Sequence, residues 1–230
     1  MQEILFEVKD SVAYITLNRP EKFNSFNREM ALQMQAALDE CKNETVRAVY
    51  ITGNGKAFSA GQDISELVGE NRIEIKQILS EHYNPIVTRI RKLDKPVVAA
   101  VNGVAAGAGA NIALCCDIVV AAQSASFIQA FSKIGLIPDS GGTFFLPRLI
   151  GWQKASALSM LGDKVSATDA EKMGMLYKVF PDETFPEESK KIALTLSQMP
   201  TEGLALTKQL LNMSFHSTFE EQLQESCHDI

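Results

Sequence analysis

The chain has 230 residues, of which 46% are hydrophobic and 22% charged, and carries a formal net charge of -6. That length allows either one large domain or two small ones and can bury about 70% or more of the unfolded surface, and the composition excludes a disordered or collagen-like chain. The acidic balance argues against nucleic acid as a general partner, because phosphate neutralisation needs concentrated Lys and Arg.

The N-terminal M-Q-E-I-L-F-E-V-K-D contains acidic residues and no signal-type apolar core, and no run approaches the ~20 apolar residues of a membrane span. Cys41, Cys115, Cys116 and Cys227 have neither disulfide-scaffold density nor a C-x-x-C metal pattern. A reduced, cytoplasmic setting is expected, without membrane association. Ile4 to Val8 and Val12 to Leu17 alternate around K-D-S and predict an antiparallel hairpin. Met30, Met34, Ala37, Leu38 and Cys41 recur at helical spacing, and A-V-Y-I-T from Ala48 predicts a buried strand.

From Ile73 to Leu93 the apolar residues mark a helical face, which Pro85 must kink or split. Val97 to Val101 is a second buried strand, the glycine-alanine series after it opens a helix, and Asp117 to Ala121 is a further strand. Beyond Gly151 the pattern is helical: Trp152 to Leu161, a start at Thr168 with Glu171 in capping-box spacing, Glu187 to Ser197, Thr201 to Met213, and Thr218 onward. The reading is α/β: residues 1–150 form an α/β core and 151–230 a helical region continuous with it.

I-P-D-S-G-G at Ile137 to Gly142 sets Asp139 between a proline and two glycines. Local chemistry alone accounts for it as a helix cap. Three segments give it a context: A-F-S-A-G-Q-D-I from Ala57, V-N-G-V-A-A-G-A-G-A-N-I-A-L-C-C-D-I from Val101, and K-I-G-L-I-P-D-S-G-G-T from Lys133. The first two follow buried strands and consist largely of small residues, so their backbone N–H groups can reach a ligand; two N–H groups meeting on one oxygen would form an oxyanion hole. Close packing of turns on a sheet would use the same letters.

With L-N-R-P-E-K-F-N-S-F at Leu17 to Phe26, these segments occur in the order and spacing of the crotonase, or enoyl-CoA hydratase/isomerase, family, which the whole chain resembles. The resemblance implies a crotonase-type spiral of repeated β-β-α turns with a helical C-terminal region. It also implies assembly as a homotrimer or hexamer and an acyl-CoA thioester substrate, with no cofactor beyond the coenzyme A of that substrate. Carried over by position, it gives the hole to the N–H groups of Ala60 and Ala108. It puts Gly107 and Phe131 against the substrate, the adenine near the backbone of Asp63 and Ile64, and Lys22 and Phe23 along the coenzyme A groove.

Hydratases of the family use two glutamates, and this chain has Asn111 and Phe131 at those positions, neither able to move a proton. Asp139 falls where several isomerase branches carry a catalytic aspartate, and its surroundings most resemble the branch acting on ring-1,2-epoxyphenylacetyl-CoA. The expectation is an isomerase of enoyl-CoA or ring-epoxide thioesters, with a hydratase of atypical site and a non-catalytic acyl-CoA-binding protein as alternatives. Phe131, Phe144 and Phe145 suit a flat ring, although core packing explains the last two as well. His82, His216 and His228 are expected to be solvated or capping, and Cys115 and Cys116 to be packed. Nothing in the spacing suggests a metal.

Overall fold

From residue 48 to residue 128 successive strands alternate between two sheets, and this alternation builds the site. The computed structural model describes residues 2–68 and 72–228. Strands β1 (Ile4–Lys9), β2 (Val12–Leu17), β3 (Ala48–Gly53), β4 (Ala57–Ser59), β5 (Val97–Val101), β6 (Val104–Ala106), β7 (Ile118–Ala122), β8 (Ser126–Ile128), β9 (Lys164–Ser166) and β10 (Lys178–Phe180) make two sheets. Their orders are β1-β2-β3-β5-β7-β10 and β4-β6-β8-β9. The β1–β2 hairpin is antiparallel, while β2, β3, β5, β7 and β10 pair in parallel. In the second sheet β4, β6 and β8 are parallel and β9 closes the edge antiparallel.

Helices α1 (Arg28–Glu40), α2 (Ile75–Ile78), α3 (Asn84–Lys92), α4 (Ala108–Leu114), α5 (Gly142–Ile150), α6 (Trp152–Leu161), α7 (Ala167–Lys172), α8 (Phe185–Gln198), α9 (Thr201–Met213) and α10 (Phe219–His228) complete the chain. Three passes of long strand, three-residue strand and helix (β3-β4-α2/α3, β5-β6-α4, β7-β8-α5) turn the backbone through a spiral. Parallel strands need such crossovers, and their burial on both faces explains the unbroken apolar runs of β3 and β5. One connected cluster of buried apolar side chains draws its members from Ile4 to Ala193.

Pro85 splits the helical stretch, as its ring requires. Leu79–Tyr83 forms a single wide π turn between α2 and α3. In an α-helix the carbonyl of Glu81 would bond the amide of residue 85, which proline lacks; Gln35 Nε2 donates to that carbonyl instead, at 2.7 Å.

One expected helix start moves. The cap of α7 is Ser166, whose hydroxyl accepts from Asp169 N–H at 3.1 Å, and Glu171 instead accepts from Val179 N–H at 3.0 Å. The capping box occurs later, where Thr218 N–H donates to Glu221 Oε2 at 2.7 Å and Glu221 N–H to Thr218 Oγ1 at 3.3 Å.

Candidate active site

The turns after β4 and β6 meet edge to edge. Gly61, at φ +88°, lies so close to the second turn that a Cβ there would stand 2.8 Å from Ala106 O and 3.4 Å from Ala108 N. Gly109 is tighter still, with a Cβ position 2.6 Å from Ser59 O. These glycines bring two loop backbones into register beside a cavity.

Which amides face that cavity depends on which are already used. Ala60 N–H donates to Phe23 O at 2.9 Å and Gly61 N–H to Ser59 Oγ at 3.2 Å. Gln62 N–H, one residue on, makes no hydrogen bond among the described residues. Ala108 opens α4, where the first amides of a helix have no intrahelical acceptor. Ala60, an expected donor, borders the cavity with its N–H bonded to Phe23 O, whereas Gln62 and Ala108 border it with N–H groups that have no partner among the described residues.

The cavity measures about 170 Å³. Apolar side chains, Leu67, Ile75, Ile78, Leu79, Phe131 and Leu136 among them, form most of its wall. Its polar side chains among the described residues are Gln62, Tyr83 and Asp139. Asp139 does not cap a helix. The cap of α5 is Gly141 at φ +78°, and the Asp139 carboxylate accepts only the Ser140 hydroxyl, at 2.8 Å. Ser140 is itself buried at a left-handed φ of +51°. Asn111 Nδ2 fixes the other side of the turn by donating to Asp139 O at 2.9 Å. Burial pushes the Asp139 carboxyl up to about 6, against a smaller pull downward from Ser140.

The enoyl-CoA hydratase/isomerase family model matches residues 7–228. The chain belongs to that family. It is 45% identical over 227 residues to the 1,2-epoxyphenylacetyl-CoA isomerase of Escherichia coli (strain K12), an alignment spanning 97% of this chain and 87% of that protein. It is 40% identical over 220 residues to a Rhodobacter capsulatus protein named "Probable enoyl-CoA hydratase", spanning 96% and 85% of the two chains. The crystal structure of an enoyl-CoA hydratase from Bacillus anthracis superposes with a TM-score of 0.94 at 31% identity, covering 99% of this chain and 89% of that one. As an enzyme of the enoyl-CoA hydratase/isomerase family, the chain acts on acyl-CoA.

Asn111 and Phe131 stand at the two positions where the resemblance led to the expectation of a hydratase's glutamates, and neither side chain can move a proton. Asn111 is fully buried and spent on structure, donating to Asp139 O and accepting from Gln129 Nε2 at 2.8 Å. Phe131 presents only carbon to the cavity. Phe144 and Phe145 do not reach it: Phe144 stacks under Arg148, whose guanidinium lies 3.8 Å from the ring centroid, and meets Phe145 and Phe215 edge-on.

Of the expected coenzyme A residues, Gly107 and Ile64 border the cavity, and Ile64 is 63% exposed at its mouth. Lys22 and Phe23 lie outside it in an exposed loop, joined to the wall through the Phe23–Ala60 hydrogen bond. The Asp63 carboxylate accepts from Ser65 N–H at 3.1 Å and from Arg19 at 3.0 Å; burial works to raise its pKa, but these bonds hold it below the ordinary value.

His82 departs from expectation. It is fully buried, neither ring nitrogen has a partner among the described residues, and burial lowers its pKa, so it is a core residue. His216 lies in the exposed turn after α9, beside the Phe144 ring, and the His228 side chain falls outside the described residues. Cys115 and Cys116 are buried in the core, as expected. Among the described residues no cluster of His, Cys, Asp and Glu could hold a metal, and no helix is long and apolar enough to cross a membrane.

Proposed function

We propose that the protein is an acyl-CoA isomerase that shifts a double bond in an enoyl-CoA or ring-1,2-epoxyphenylacetyl-CoA thioester, with Asp139 carrying the proton. One observation carries this reading: Asp139 is the single carboxylate lining a mostly apolar cavity among the described residues, and its pKa of about 6 leaves it ionised, yet readily protonated, near neutrality. The carboxylate takes a proton from the carbon next to the thioester. In an enoyl thioester the electron pair spreads over the dienolate and the carboxylic acid returns the proton two carbons further on; in the ring epoxide the same transfer follows opening of the arene oxide to its oxepin, in which the ring C–C bond shared with the epoxide breaks and its electron pair joins the ring double bonds. Nothing is gained or lost, as an isomerisation requires.

The negative charge gathers on the thioester oxygen, where the N–H groups of Gln62 and Ala108 would receive it. Such fixed donors favour the enolate over the ground state, and each is worth about 2.7–4 kcal/mol of barrier. The cavity also suits a ring: apolar protein cavities of about 150 Å³ take up benzene. The name of the Escherichia coli relative, 1,2-epoxyphenylacetyl-CoA isomerase, supports the ring-epoxide assignment.

Hydration is the second reading, favoured by the name of the Rhodobacter capsulatus relative. It needs a group to activate water and another to protonate carbon, and Asn111 and Phe131 offer neither. The two readings separate in one experiment: 3-enoyl-CoA, crotonyl-CoA and the ring-epoxide thioester are supplied in turn, and double-bond shift is compared with water addition. Isomerisation should outrun hydration. Hydration equal to or faster than isomerisation would overturn the proposal.

A further inference from the structure

Tyr83 has no role in the proton transfer described above, yet it is the largest fully buried side chain among the described residues and it lines the cavity. Its hydroxyl donates to Gln62 Oε1 at 2.8 Å. The same Gln62 side chain donates through Nε2 to Glu66 Oε2 at 2.8 Å, and Glu66 Oε1 accepts from Arg28 N–H, at the start of α1, at 2.8 Å. The side-chain amide of Gln62 is thus held at both ends, and the backbone N–H of this cavity-lining residue has no partner among the described residues. The ring is also aimed by a costly device. The π turn Leu79–Tyr83 ends on Tyr83 itself, and such turns are rare and gather at functional sites because they redirect the side chains that follow.

We infer that Tyr83 is a positioning residue: through Gln62 Oε1 it fixes the loop that aims the Gln62 backbone N–H at the thioester oxygen. This rests on the assignment of the Gln62 and Ala108 amides made above. Without the hydroxyl, Gln62 Oε1 is left unpaired beside an apolar wall. The side chain then turns to find water, and the loop that carries the amide turns with it. Burial, with a smaller contribution from the nearby Asp139 carboxylate, pushes the Tyr83 phenol well above its ordinary value, so it stays a neutral donor throughout the working pH range.

The test is a double-mutant cycle of Tyr83→Phe, Gln62→Met and the pair, because Gln62→Met removes the side-chain amide but keeps the backbone N–H. Each single change should lower kcat on the order of 10-fold with KM within about twofold, less than the ~10²–10³ of deleting a donor outright. The pair should be no worse than the more damaging single. A second readout needs no turnover: the infrared red shift of the thioester carbonyl of bound phenylacetyl-CoA, which has no movable double bond, should shrink in both single variants.

Losses that multiply in the pair would mean that Tyr83 acts on the substrate and not through Gln62, which overturns the inference. A lowered Tm with kcat and carbonyl shift unchanged would make Tyr83 a packing residue and overturn it as well. Should Tyr83→Phe fail to fold, Gln62→Met decides alone by the same two readouts. If the wild-type protein isomerises nothing, the isomerase reading fails, while the carbonyl shift still judges the link between Tyr83 and Gln62.

Discussion

Asp139 raises the opposite expectations of a cap and a base, and they part on the pH axis. Its folded pKa of about 6 lies above the ordinary carboxylate value, so protonation favours the native state. Its contribution to stability is complete below the unfolded pKa near 4 and is lost as pH rises through about 6. Asp139→Asn should therefore be at least as stable as wild type at pH 7, and the difference should narrow as pH falls toward 4, measured by Tm across pH. Activity runs the other way, because a base must be ionised: kcat/KM should rise with pH through a midpoint of about 6 and level off. A variant that melts lower at every pH would restore the capping role. Ala60 and Gln62 show what letters withhold at this scale. The amide that is free is decided by Phe23, far off in sequence, accepting from Ala60, and no local pattern encodes that pairing.

At the scale of elements, the close approach of the β4 and β6 turns is the feature most open to a single change. Gly61→Ala places a methyl 2.8 Å from Ala106 O at a φ of +88°, so it must push the two turns apart. It should cut kcat by at least about 10-fold, because misplacement of about 1 Å can cost on the order of 10² in rate, while the sheets remain folded by circular dichroism. α9 hangs on another buried contact: Lys208 Nζ lies 2.8 Å from Asp117 Oδ2 and donates to the carbonyls of Ile90 and Lys95. Lys208→Met should cost about 1–3 kcal/mol in urea unfolding, since it leaves the buried carbonyls of Ile90 and Lys95 without this donor and takes one of two cations from Asp117, which keeps Arg91 at 3.0 Å. The long strands and helices were legible because β3 and β5 read as apolar runs and α1 and α8 as periodic faces. Strands β4, β6, β8, β9 and β10 were not, since three residues are too few to carry a period. Phe144 and Phe145 read equally as pocket or core, and only the placement of α9 and the following turn resolves them, with Phe215 against Phe144.

For the whole molecule, the spiral explains why a site with so few polar groups can work: each small-residue turn is carried on a rigid parallel sheet, and the cavity lies between successive passes. The exposed faces of Trp152, Met160, Leu161 and Tyr177, each more than 60% accessible, are large apolar groups left without partners in the single chain. The proposed homotrimer or dimer of trimers would cover such faces, and sedimentation should give three or six times 25.2 kDa, whereas a stable monomer would contradict it. The central claim, that one carboxylate moves the proton beneath two backbone amides, is tested most directly by turnover of Asp139→Asn on 3-enoyl-CoA and on the ring-epoxide thioester at pH 7. Asparagine keeps the size and the Ser140 contact but cannot hold the substrate proton. Isomerisation should fall by roughly 10²–10⁴-fold with thioester binding retained; turnover of both substrates within about twofold of wild type would contradict the account.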